Sequence, residues 1–81
     1  MTRSEISQKL EQILHAVFQN DSIVIRDDLT AEDIEEWDSL NHINLIVAVE
    51  KEFHVRFTTR EVYAANNVGE FIDLVAKKLS P

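Results

Sequence analysis

Apolar side chains recur at spacings of three and four near both ends of this sequence, the period at which one face of an α-helix is buried. Ile6, Leu10, Ile13, Leu14, Val17 and Phe18 make the first such face, and Thr2 with Glu5 has capping-box spacing ahead of it, so a helix is expected from about Arg3 to Phe18. Val68, Phe71, Ile72, Val75 and Leu79 make the last. Asn67 with Glu70 repeats the capping spacing before it, Lys77 and Lys78 fall in its final turn, where cations favour the carbonyl end of the helix dipole, and Pro81 follows as a stop. Between these faces, Asp38 can cap a helix that begins at Ser39. Its apolar set of Leu40, Ile43, Leu45, Ile46, Val47, Val49 and Phe53 covers more than one face, which predicts a central helix packed on several sides. Thr58 with Glu61 opens a short helix through Val62, Tyr63 and Ala65.

From Gln19 to Asp38 the periodicity lapses. Asn20, Asp21, Asp27, Asp28 and Thr30 supply turn and cap chemistry around isolated apolar anchors at Ile23, Ile25, Leu29 and Ile34, which reads as a long, partly structured loop. Loops of that length are often functional. The β-branched segments Val24 to Arg26 and Val55 to Phe57 are too short and isolated to build a sheet. The fold class expected is all-α, with three longer helices, one short helix and a long loop between the first two.

With 81 residues the chain is expected to be one domain, residues 1–81, with one core. A composition of 44% hydrophobic and 28% charged residues with a single Gly favours an ordered helical protein over a disordered one. The formal charge of −7, from 15 acidic against 8 basic side chains, repels phosphate backbones and anionic membranes. Basic protein surfaces, not nucleic acid, are the natural complement. The absence of cysteine removes disulfides, thiolate catalysis and thiolate metal sites together, so any thioester chemistry here needs an imported thiol. Met1 to Leu10 contains no continuous apolar stretch, so neither a signal peptide nor a membrane span is expected, and the cytoplasm is the expected location.

The informative stretch is Trp37-Asp38-Ser39-Leu40, which sets a serine hydroxyl at the first turn of a helix directly after the long loop. A phosphodiester built on that oxygen lies beside unpaired backbone N–H groups and the positive end of the helix dipole. Taken alone, an Asp-Ser pair opening a helix is equally an ordinary cap. The order of parts adds weight: long helix, long loop, Asp38-Ser39-Leu40, apolar helix, Glu50-Lys51-Glu52-Phe53, short helix, final helix. Over roughly residues 3 to 79 this order resembles the acyl carrier protein family, with no large insertion.

That resemblance implies a four-helix bundle with one short helix, a protein that is no catalyst, and Ser39 as the attachment point of 4'-phosphopantetheine, transferred from coenzyme A by a separate phosphopantetheinyl transferase. The arm would carry acyl groups as thioesters to an acyl-loading ligase or acyltransferase and to ketosynthase-type enzymes of fatty acid, polyketide or related biosynthesis. A monomer is expected. Tethering raises effective concentration at each partner without tight binding. Family members present acidic side chains along the second helix to basic patches on partners. Here Asn41 and Asn44 stand where carboxylates are usual and Lys51 interrupts the run, leaving Asp38, Glu50 and Glu52. Acidity gathers instead before the serine, in Glu32, Asp33, Glu35 and Glu36. The recognition residues expected are therefore Glu35, Glu36, Asp38, Leu40, His42 and Glu50, although a solvated acidic face is the plain alternative for the charge run.

Trp37 and His42 bracket Ser39 and resemble carriers of specialised metabolism. Trp37 is equally a loop anchor on the core, and His42 reads as a solvated residue or as one that touches the phosphate or a partner. His54 reads as turn filler and His15 as a helix-surface residue; no histidine has metal-ligand spacing to a second ligand, and no metal site is expected. The family can fold its cargo between helices, and the matching positions here are Ile46, Val49, Val62, Ala65 and Phe71, each of which is also a plain core residue. Phe71 would narrow such a cavity, pointing to short or polar cargo.

Other classes fit less well. A hydrolytic triad of Ser39, His42 and Asp38 has no Gly-rich elbow or oxyanion hole behind it. A calcium loop over Asp21 to Glu36 lacks the alternating ligands and central Gly. An adaptor of the same fold without the arm differs only in the modification of Ser39. Aminoacyl carriers usually place Gly just before the serine, where this chain has Glu36, Trp37 and Asp38, but an aminoacyl cargo stays open as an alternative on a domain of this kind.

Overall fold

The computed structural model describes residues 1–79; Pro81, read above as the stop after the last helix, lies outside the described residues. Four α-helices occur among them: α1 (Arg3–Phe18), α2 (Ser39–Phe53), α3 (Thr59–Ala64) and α4 (Val68–Leu79), with a 3₁₀ turn at Ala31–Asp33 inside the first loop and no strand. No helix among the described residues is long and apolar enough to cross a membrane.

The helix starts are set locally. Thr2 accepts the Glu5 N–H at 3.1 Å while Glu5 accepts the Thr2 N–H at 2.9 Å, and Thr58 with Glu61 repeats the pair at 3.1 and 2.8 Å. Asp38 caps α2 by accepting the Asn41 N–H at 2.8 Å. At α4 the box is shifted by one residue: Asn67 accepts the Glu70 N–H at 2.8 Å, but the Glu70 carboxylate returns to the Asn66 N–H at 3.1 Å. α1 and α2 both end on a left-handed residue, Gln19 with φ 53° and His54 with φ 56°.

The core lies where α1 meets α2 and α4. Ile6, Leu10, Leu14 and Phe18 form one row along α1, facing Leu45, Val49 and Phe53 of α2 and Val68, Phe71, Ile72 and Val75 of α4, all buried. Burying each such large side chain contributes about 1.5–3 kcal/mol. The loop is fastened onto this core by Ile23, Leu29 and Ile34, also buried. His15 is not a free helix-surface residue: its Nε2 donates to the Ile23 carbonyl at 2.7 Å, and Glu11 next to it accepts the Ile25 N–H at 2.9 Å. These bonds satisfy loop backbone that the apolar anchors draw inward.

The far edge of the loop is held by α4. Val68 N–H donates to the Leu29 carbonyl at 2.8 Å and Gly69 N–H to that of Asp27 at 2.9 Å, so the free amides of the helix start are spent on the loop. Arg3 ties three segments together, reaching Asp73 at 3.0 Å, Asp27 at 3.1 Å and the Gly69 carbonyl at 3.3 Å. Its guanidinium is held more firmly protonated by the bonds to Asp73 and then Asp27. At the other end, Lys78 of α4 meets Glu61 of α3 at 2.8 Å and lies over the Phe57 ring, which itself packs against Phe71.

The expectation for α2 needs correcting. Only its Leu45, Val49 and Phe53 row is buried; Leu40, Ile43 and Val47 are 68%, 60% and 43% exposed. Positions two apart on a helix point about 200° away from each other, so Ile43 and Val47 face opposite to Leu45. Among the described residues nothing packs over them: Ile43 borders a groove toward α3 and Val47 borders the surface at His54 to Arg56. α2 packs through Leu45, Val49 and Phe53 on the core and through half-buried Ile46 beside them, and leaves Leu40, Ile43 and Val47 as an apolar strip in solvent.

Candidate functional site

Ser39 is the first residue of α2 and its side chain is exposed. The loop delivers it there through a short chain of bonds. Trp37 N–H donates to the Ile34 carbonyl at 3.1 Å, Asp38 N–H to that of Glu36 at 2.9 Å, and the Asn41 side-chain amide to the same Glu36 carbonyl at 2.9 Å. Asp38 takes the Asn41 N–H on its side chain and the His42 N–H on its carbonyl, at 2.8 and 2.9 Å. The N–H groups of Ser39 and Leu40 find no acceptor among the described residues. An exposed hydroxyl beside two free amides, at the positive end of a helix of 15 residues, suits a phosphodiester well.

Trp37 and His42 occupy the side of Ser39 that faces α3. Trp37 is half-buried against Phe18, with ring centroids 5.3 Å apart, and its indole N–H donates to His42 Nδ1 at 3.0 Å. His42 is therefore not the solvated residue that one reading made it. Nor do Asp38, Ser39 and His42 make a relay: the His42 Nδ1 is engaged by Trp37 and the Asp38 carboxylate by the Asn41 amide.

Two hollows meet at this pair. An outer groove is lined by Ser39, Trp37, His42, Ile43, Val62 and Tyr63 among others. An inner apolar cavity of about 110 Å³ runs between α2, α3 and α4, and Trp37 and His42 line it too. Of the five positions matched to an acyl cavity, Ile46, Val62, Ala65 and Phe71 line this space. Val49 is not among its walls; it is fully buried in the α2 row that faces the core. A cavity of this order compares with the roughly 150 Å³ that accommodates a benzene-sized guest.

The residues expected to meet partners are distributed unevenly. Leu40, Asp38 and Glu35 are exposed. Glu36 is half-buried and accepts the Asn20 side-chain amide at 3.3 Å, and Glu50 is half-buried with one oxygen taken by the Phe57 N–H at 2.9 Å. Both carboxylates are therefore partly committed to holding loops. Asp33 is held below the usual carboxylate range by hydrogen bonds from the Thr30 amide and then its hydroxyl. Among the described residues no cluster of three His, Cys, Asp or Glu side chains is placed to hold a metal. The Trp37 to His42 bond and the Ile43 to Val47 strip were not legible beforehand. Only the spacing of five between an indole donor and an imidazole hinted at the first.

The profile of the family described as "Phosphopantetheine attachment site" matches residues 4–75 of this chain. Among solved structures, the chain is similar to the solution NMR structure of a holo acyl carrier protein from Geobacter metallireducens. The two are 43% identical, with 91% of this chain and 85% of that one covered and a TM-score of 0.87. No curated protein gives a significant match. A helical bundle, an exposed serine opening its second helix and a family profile across nearly the whole length lead to one reading: the chain belongs to the acyl carrier protein family, whose members are carriers bearing covalent 4'-phosphopantetheine and not enzymes.

Proposed function

We propose that Ser39 bears the arm and that the protein holds acyl intermediates as thioesters on it, delivering them to partner enzymes of fatty acid, polyketide or related specialised biosynthesis in the cytoplasm. The observation that carries this is the placement of the Ser39 hydroxyl, exposed at the start of α2 beside unpaired N–H groups. When bound, the arm supplies the thiol that a cysteine-free chain lacks. The chain's own part is to position and to present. The Ser39 and Leu40 amides favour an anion on the Ser39 oxygen. The cavity walls at Ile46, Val62, Ala65 and Phe71 exclude water from a short apolar group, and Phe71, only 8% exposed, limits its length.

Docking of the transferase and of acyl-handling enzymes is assigned to the strip of Leu40, Ile43 and Val47, flanked by Asp38 and by Glu35 and Glu36 of the loop. Asn41 and Asn44 leave this face with less charge than its position in the family suggests. Apolar contact therefore carries a larger share of docking, and the loop carboxylates steer basic partners toward it. The arm-free adaptor reading shares the fold and differs at Ser39 alone.

Intact-protein mass spectrometry after incubation with a broad-specificity phosphopantetheinyl transferase, magnesium and coenzyme A tests the proposal. A gain of one phosphopantetheinyl group in the parent and none in Ser39→Ala supports it. No gain in folded protein, with another carrier modified in parallel, moves the reading to the adaptor.

A further inference from the structure

The bond between Trp37 and His42 determines where the imidazole proton lies. An indole N–H only donates. Trp37 Nε1 stands 3.0 Å from His42 Nδ1, so that nitrogen accepts and the proton of the neutral ring is on Nε2. Through this bond the two rings meet edge to edge, with centroids 6.2 Å apart and planes 26° off parallel, and Trp37 is itself packed on Phe18. The imidazole is thus held against turning over.

His42 keeps one N–H donor that no described residue accepts, on a half-buried side chain bordering the groove that contains Ser39. Residues three apart on a helix are surface neighbours, with about 5–6 Å between their Cβ atoms, so His42 and Ser39 share one edge of α2. No Lys or Arg lines that groove, and its other titratable side chains are Asp38 and Tyr63. Asp38 already takes the Asn41 amide. A phosphodiester on Ser39 therefore enters an acidic chain at a place where backbone amides and one side-chain donor are the neighbouring groups of favourable sign.

We propose that His42 binds the phosphodiester of the arm through its Nε2–H, and that Trp37 is the positioning residue that locks the required tautomer. The inference rests on Ser39 as the attachment point. Held this way, the base of the arm lies against the two side chains that also line the mouth of the apolar cavity, so anchoring the anion biases the arm inward along the groove.

The test is NMR of apo and holo protein, observing the side-chain ¹⁵N resonances of His42 and the ³¹P resonance of the arm, with attachment verified by mass. The expected result is an Nε2–H tautomer in both forms, a change in His42 Nε2 on attachment, and a correlation between its Hε2 and the phosphorus. His42→Phe loses that interaction, displacing and sharpening the ³¹P line. His42→Gln, which keeps an amide donor, returns the line toward the parent position, and Trp37→Phe moves it part of the way. An unchanged ³¹P line in His42→Phe and Trp37→Phe overturns the proposal. Unchanged His42 nitrogens between apo and holo parent protein overturn it as well, and this comparison needs no variant to fold. Absence of the mass gain in the parent overturns the attachment at Ser39 and this inference with it; a gain with unmoved resonances overturns this inference alone.

Discussion

Gly69 and Asp27 are in backbone contact: the Gly69 N–H donates to the Asp27 carbonyl at 2.9 Å, and a Cβ on Gly69 would stand 2.8 Å from the Asp27 Cβ. The loop that leads to Ser39 thus closes onto the first turn of α4 with no room for a methyl group. Ala is the better helix residue by roughly 1 kcal/mol, but overpacking typically costs about 1–3 kcal/mol, and one clashing neighbour is the backbone oxygen at 2.9 Å. Gly69→Ala is expected to be destabilising by about 1 kcal/mol net, seen as a lower urea midpoint at unchanged slope. A raised midpoint would show that the loop yields without cost.

The left-handed turn at His54 offers the opposite sign. Its φ of 56° is a conformation that glycine adopts without a Cβ penalty, and the side chain is exposed. His54→Gly is expected to raise stability by about 1 kcal/mol, whereas His54→Ala gives no gain. Thermal unfolding of the three proteins decides it, and equal shifts for Gly and Ala would place the effect in the lost imidazole instead.

Two exposed carboxylates, Glu5 and Asp33, and the half-buried Glu61 are expected to make the fold acid-sensitive. Glu5 is held below its ordinary value by the Thr2 amide and then hydroxyl, Asp33 by those of Thr30, and Glu61 by Lys78 and then the Thr58 amide. A depressed folded pKa means that the unfolded chain binds more protons, so stability rises with pH through this window. The contribution is present above the ordinary values of 4.5 for Glu and 3.8 for Asp and is lost as pH falls through the depressed ones. Urea midpoints measured from pH 7 down to about 3 should fall most steeply below the ordinary carboxylate range. Glu61→Gln should flatten the profile, and a parallel curve for it would remove Glu61 from the account.

Leu40 and Ile43 are exposed enough to be changed without disturbing the core. Leu40→Glu and Ile43→Glu are expected to shift stability by no more than about 0.5 kcal/mol while slowing arm transfer and acyl loading. Reversing Glu35 and Glu36 to Lys is expected to lower the same rates through slower, salt-sensitive encounter. Rates unchanged by the first pair would move the docking face off α2, and rates unchanged by the second would remove Glu35 and Glu36 from the steering of partners.

The limits of α1, the cap of α2 at Asp38 and the boxes at Thr2 and Thr58 were legible in the sequence by itself. Each is written within three or four residues: a helix period, a side chain that reaches an amide three positions on, a missing partner at a helix start. The serine at the loop-to-helix junction was legible for the same reason. Which apolar residues are buried was decided only by the tertiary structure. Leu45 and Ile43 look alike in the sequence, yet one meets α1 and the other meets water, because burial depends on whether a distant element lies opposite. The same holds for Glu50, whose carboxylate is spent on the Phe57 amide, for Val49, drawn into the core instead of the cavity wall, and for Gly69, whose lack of a side chain matters only because Asp27 is beside it. Trp37 and His42 are close in sequence, but their bond forms because Phe18 fixes the indole from across the loop. Local hydrogen-bonding chemistry leaves its pattern in neighbouring residues; packing between elements far apart in the chain has no period to leave.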